Sequence, residues 1–172
     1  MSTKQALRQI DYDNLRAIAG SVQLDDIRLL DCRFSALIEP DGLDAEETLS
    51  FVRTLRGARW SLVMDGKALV TSLAFRVRGQ AQKRTDVGHS ATARDVFVLE
   101  SSWKCRYHFL REVPFGDLDL LDDFAFANGQ LNVFPYFRQL VSDITARSGW
   151  PAVILPVFRA PSRRPWGSVT RE

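Results

Sequence analysis

The chain has 172 residues, enough for one domain with a substantial core. Its hydrophobic fraction is 45% and its charged fraction 26%, values of a soluble globular protein, and a net charge of +2 is too mild for a nucleic-acid binder built on a basic stripe. No stretch approaches the roughly 18 apolar residues of a membrane span, and the start Met-Ser-Thr-Lys-Gln-Ala-Leu-Arg lacks a secretory apolar run, so a reducing cytoplasm is expected.

Residues 3–18 predict an amphipathic helix through Ala6, Leu7, Ile10, Leu15 and Ile18, stopped by Gly20. Residues 27–38 then change period. Leu30, Cys32, Phe34, Ala36 and Ile38 fall on one face, opposite Asp31, Arg33 and Ser35, as in a strand with one face buried. Glu-Pro-Asp-Gly at 39–42 is a turn. Residues 44–56 carry two signals. Asp44 and Glu47 stand at helix-cap and capping-box positions, whereas Thr48, Phe51, Val52 and Thr54 suit a strand, and the balance predicts a loop leading into a strand.

Residues 58–64 alternate through Trp60, Leu62 and Met64, and Asp65-Gly66 is a hairpin signal. Residues 68–78 continue with Leu69, Leu73, Phe75 and Val77 on one face, so a tight hairpin and one long bulged strand are both open. Residues 79–93 have no period and predict a long mobile loop. The clearest strand is 94–109, with Phe97, Leu99, Ser101, Trp103, Cys105, Tyr107 and Phe109 on one face and a half-polar set from Val96 to His108 on the other. Cys32 and Cys105 both lie in alternating runs and read as small buried hydrophobes.

A short helix is expected over 116–128, ended by Asn128-Gly129, and a second from an Asn132 cap to Arg147 with Pro135 in its first turn. Ser148-Gly149 stops it. Trp150 to Pro156 must run extended between two prolines, and 161–172 predict a disordered basic tail. Strands grouped before helices give an α+β domain over residues 1–160, an antiparallel sheet covered on one face.

No chemistry-bearing pattern accompanies these elements. There is no Ser-His-Asp order, phosphate loop, CxxC or His–Cys cluster, so neither catalysis, a cofactor nor a metal is expected. His89 lies in the expected loop and His108 on a strand. Asp122-Asp123 and Glu46-Glu47 are adjacent pairs that point apart and make poor acid/base partners. Eleven Phe and four Trp leave room for an aromatic binding surface, though a fully buried set in a plain assembly protein fits composition equally. A single-strand nucleic-acid module is the other alternative, with Arg76, Arg78, Lys83 and Arg84 on phosphates and Trp103 or Tyr107 stacking; it would require the apolar strand face to be open.

The segment Leu131-Asn-Val-Phe-Pro-Tyr-Phe-Arg, followed by Ala146-Arg-Ser-Gly-Trp-Pro and Leu155-Pro-Val, resembles the SecB chaperones. Their helix start Phe-Pro-Tyr-Ala-Arg is followed by an Arg-Gly-x-x-Pro stop and a Leu-Ala-Pro-Val tail. Val96-Phe-Val-Leu-Glu-Ser-Ser resembles the family's Phe-Leu-Cys-Glu-Val strand, and Leu24-Asp-Asp-Ile-Arg-Leu-Leu the first strand of SecB-like chaperones found beside toxin–antitoxin genes.

The resemblance implies a four-stranded antiparallel sheet with two C-terminal helices, an extra N-terminal helix, and a homotetramer that is a dimer of dimers. It also implies ATP-independent holding of unfolded or nascent polypeptides in apolar grooves. Phe115, Phe126, Phe134, Tyr136, Phe137 and Trp150 are the expected groove residues, and Glu100 matches a glutamate through which the exporter contacts the SecA motor. SecB proper is acidic with an acidic tail, whereas this chain is slightly basic and ends in Arg-Arg-Pro-Trp-Gly-Ser-Val-Thr-Arg-Glu. That departure weakens protein export as the role and favours a dedicated client such as an antitoxin.

Overall fold

The alternation of residues 94–109 becomes a 16-residue strand, Arg94–Phe109, inside a twisted sheet. A computed structural model describes residues 7–64, 66–83, 93–111, 118–165 and 169–171. Phe115, Arg84 and His89 lie outside these. In chain order the elements are β1 (Leu7–Gln9), α1 (Tyr12–Ala19), β2 (Val22–Ala36), a 3₁₀ turn (Pro40–Gly42), β3 (Glu47–Val63), β4 (Ala68–Lys83), β5 (Arg94–Phe109), α2 (Leu118–Arg147), β6 (Arg163–Pro165) and β7 (Val169–Arg171).

The sheet order is β2-β5-β4-β3-β7, and β1 pairs separately with β6. The four long strands are antiparallel, as expected, but β7 lies parallel to β3, so the sheet is mixed and five-stranded. The basic C-terminal segment is therefore not disordered where it is described. Val169–Arg171 covers the β3 edge at Ala58–Trp60, which would otherwise present unpaired backbone groups.

Three other expectations change. The N-terminal helix begins only at Tyr12, because Asp11 caps it by accepting from the Asn14 N–H, and Leu7–Gln9 pairs as a strand instead. Residues 47–63 form one strand with a bulge between Leu55 and Gly57, and the tight hairpin to β4 is the outcome realised. One capping-box bond forms, from the Asp44 N–H to Glu47 Oε2 at 3.0 Å, while Asp44 Oδ1 accepts from the Glu46 N–H at 3.3 Å and the Glu47 N–H bonds the Asp44 carbonyl at 2.9 Å, so the bonds close a turn that feeds a strand. Residues 79–83, expected in a loop, extend β4.

The two C-terminal helices are one helix of 30 residues. Asn128-Gly129 does not end it, because Gly129 is needed for close approach: a Cβ there would sit 3.0 Å from Leu73 Cδ1. Asn132 is no cap either; its Nδ2 donates to the buried Tyr107 hydroxyl at 3.0 Å. The true end is at Gly149, with φ +79. There the Trp150 N–H bonds the Thr145 carbonyl at 3.0 Å and the Gly149 N–H the Ala146 carbonyl at 3.2 Å, the paired bonds of a Schellman end.

Candidate functional site

Strand register places the inner side chains in rows across the sheet. One row reads Ala36–Phe97–Gly79–Phe51, the next Phe34–Leu99–Val77–Arg53, and then Cys32–Ser101–Phe75–Leu55. Helix α2 crosses these rows. It starts where Phe124 meets Tyr107 edge-on at 5.1 Å, stacks Phe137 on Phe75 at 4.7 Å, and delivers Trp150 against Phe97 at 5.4 Å.

A helix with side chains is about 10–12 Å across, whereas four strands at about 4.8 Å spacing are roughly 14 Å from first axis to last. One helix thus covers the middle of the sheet and leaves its margins. Burial follows that geometry. The inner residues of β4 and β5 are buried from Leu69 to Ala81 and from Phe97 to Phe109, while on the outer strands Leu24, Leu29 and Phe51 are exposed. Phe34 and Cys32 are half-buried, which corrects the expectation of a fully buried β2 face and a buried Cys32. Burial, then the Asp31 charge, still pushes the Cys32 thiol upward, so it stays protonated.

An aromatic row forms at one end of the sheet: Phe97 lies 5.5 Å from Phe34 and 6.2 Å from Phe51, beneath Trp150. Gly79 makes this possible, because its missing Cβ is where the Phe97 ring rests. The Trp150 Nε1 is buried with no acceptor among the described residues. On the β3 margin, Phe134 packs on Phe158 at 5.3 Å, and the Arg53 guanidinium lies 4.9 Å and 5.1 Å from the two ring centres. Burial lowers the Arg53 pKa from its ordinary value.

After Gly149 the chain turns back along this margin. The Val153 N–H bonds the buried Thr145 hydroxyl at 3.0 Å, and Val153 and Leu155 point inward. Ile154 and Val157 are 69% and 78% exposed. The extended tail is therefore a wall with an apolar outer surface.

The six expected groove residues fall in three groups. Phe126, Phe134, Phe137 and Trp150 are buried core beneath the margins. Tyr136 is 55% exposed on α2. Phe115 lies outside the described residues. Glu100 is on the opposite, open face of the sheet, where Arg76 Nε donates to it at 2.7 Å and Arg33 faces it across β2. The helix-stripe pattern pointed to Phe134 and Phe137 because it finds apolar residues, not exposed ones. The exposed apolar positions on the edge strands, Leu29 and Phe51, carried no motif; only the width of the cover reveals them.

A charge cluster fixes the far end of α2. Asp122 Oδ1 accepts from Trp60 Nε1 at 2.7 Å, and its Oδ2 pairs with Arg171 at 2.8 Å. Asp119 pairs with both Arg8 and Arg171. Asp122 thus acts as a structural anchor, and the buried Asp123 carboxylate lies 3.7 Å from the Arg8 guanidinium; among the described residues, no group of three or more His, Cys, Asp and Glu could hold a metal ion.

A central helix on a four-strand antiparallel core, returning through a proline-bracketed tail, is the layout of the SecB-like chaperone fold. The chain is similar in structure to the SecB-like chaperone Rv1957 of Mycobacterium tuberculosis, solved in complex with a ChAD peptide from the HigA1 antitoxin Rv1956. The TM-score is 0.64 with 19% sequence identity, covering 85% of this chain and 97% of that one. No family model and no curated protein sequence matches the chain. The likeness establishes the SecB-like fold.

Proposed function

We propose that the protein is an ATP-independent holdase that binds non-native polypeptide along the apolar margins of α2. The carrying observation is the mismatch between one helix and a four-strand inner face, which leaves Leu29 on β2 and Phe51 on β3 open, while Tyr136 on α2 and Ile154 in the tail are exposed as well. An extended client can lay alternate side chains along such margins. Aromatic contacts supply area at low entropic cost, and several weak sites in a homotetramer raise the total affinity. Phe126, Phe134, Phe137 and Trp150 form the floor under these contacts, and Phe115 is kept with them on the resemblance alone.

A dedicated antitoxin-type client is the preferred partner, in a cytoplasmic setting and with no cofactor. The similar mycobacterial chaperone was solved with an antitoxin peptide, which supports this choice. Docking of a basic SecA-type tail on Glu100 is disfavoured, because Arg76 already engages that carboxylate.

Light scattering tests the reading. A chemically denatured client is diluted into buffer without ATP, with the chaperone's mass verified first. Suppression of aggregation at near-stoichiometric ratios is expected. The double variant Phe51→Ser/Tyr136→Ser should require about fivefold more protein for the same suppression. A folded protein that leaves aggregation unchanged would sink the proposal.

A further inference from the structure

Arg53 is a charge in an apolar place. Among the described residues paired across the inner face, from the row of Phe51 to that of Leu62, it is the one charged side chain. Its guanidinium lies where three elements meet. β3 carries it, the Phe134 ring of α2 is centred 4.9 Å away and the Phe158 ring of the returning tail 5.1 Å away. The rings attract the cation and restrict it, but they do not neutralise it. No carboxylate among the described residues pairs with it, and burial lowers its pKa with no anion acting against that shift. Further along β3, Glu47 is about 20 Å away and is held by Arg94, and Asp44 is held by Lys83. A partly desolvated cation without an anion is unfavourable, and an arriving carboxylate offsets that cost. The strand edge beside Arg53 is open too. β7 pairs with β3 only at Ala58–Trp60, so residues 47–56 have no strand on that side among the described residues.

We propose that Arg53 sets the sequence preference of the client margin: it receives one aspartate or glutamate side chain of an extended client segment, and an apolar side chain two positions away rests on Phe51. The inference deepens the holdase reading and rests on it. Phe51 is exposed and lies on the same face of β3 as Arg53. Two residues of strand separate them by about 7 Å, the spacing of alternate side chains in an extended client. The planar guanidinium offers a fork that matches a carboxylate. A single cation among apolar residues fits a single carboxylate within an apolar segment, whereas a nucleic acid engages a run of cations. The open edge of β3 gives the client backbone a place to pair.

Fluorescence anisotropy of the full chain tests it with three labelled peptides of alternating Leu and Ser that differ only in a central Glu, Gln or Lys. The Glu peptide should bind about tenfold more tightly than the Gln peptide at low salt, and the Lys peptide most weakly. High salt should narrow the gap between Glu and Gln. Arg53→Gln should bring those two peptides together, and Arg53→Lys should keep the order with a smaller ratio, because lysine lacks the fork. Arg53→Glu should put the Lys peptide first, a reversal that a purely structural arginine would not produce. Equal binding of the Glu and Gln peptides by the parent chain, or a Glu preference that persists in Arg53→Gln, would overturn the inference. Either result beside intact suppression of aggregation leaves the holdase reading standing; loss of both removes both.

Discussion

Replacing Gly79 with alanine is the sharpest test of the aromatic row. The glycine does not have a positive φ, so alanine meets no backbone strain, and its smaller unfolded-state entropy should contribute about 0.5–1 kcal/mol of stability. Space decides otherwise. The new Cβ would lie 2.4, 2.6 and 2.7 Å from three atoms of the Phe97 ring, whereas carbon atoms rest at about 3.5–4.0 Å. The ring must move by about 1 Å, yet Phe34, Trp150 and Phe51 enclose it at 5.5, 5.4 and 6.2 Å. Overpacking of this kind costs about 1–3 kcal/mol. The net loss should be about 1–2 kcal/mol, a fall in Tm of roughly 2–8 °C for a chain of this size. Urea and thermal unfolding measure it. Phe97→Leu in the same chain should remove most of the penalty, giving a coupling of opposite sign in a double-mutant cycle. An alanine variant as stable as the parent would refute the steric reasoning.

Tyr107→Phe should lose about 0.5–1.5 kcal/mol at neutral pH with the Asn132 hydrogen bond, while keeping the ring contact with Phe124. Burial first, and then the neighbouring Cys105, push the Tyr107 phenol well above its ordinary 10.0. Its contribution is thus fully present below the unfolded value and is lost as pH rises through the folded one, so alkaline unfolding monitored by circular dichroism should shift upward in the Phe variant. Arg171→Ala should release β7, lower stability by about 1–2 kcal/mol, and raise hydrogen exchange in Ala58–Trp60. Burial raises the Asp119 carboxyl, but Arg8 and Arg171 outweigh it and hold it below 3.8. Its stabilisation is therefore present above that value and lost as pH falls through the folded one, and an acid melt of Arg8→Ala should begin at a higher pH than that of the parent.

Local pattern read the strands well where both faces have strong constraints. Residues 94–109 were legible to the residue because one face is continuously apolar and the other is half polar. It failed where a distant contact reassigns a local signal. Asn128-Gly129 says helix stop to its neighbours, but Leu73 beneath it turns the glycine into a point of close approach. Asp44 and Glu47 form their box, yet no apolar helix face follows to extend it. The candidate site was legible only in outline. The aromatic positions on α2 could be read from periodicity, but their burial could not.

The amino-acid sequence by itself determined the α+β order, the core strands, the extended tail after Gly149 and the resemblance to SecB chaperones, all of which rest on periods and turn residues a few positions apart. Only the tertiary structure decided that two helical segments are one, that the basic C-terminus edges the sheet, and that apolar side chains on the outer strands stay open. These depend on the ratio of helix width to sheet width and on pairings more than a hundred residues apart, which no local pattern encodes.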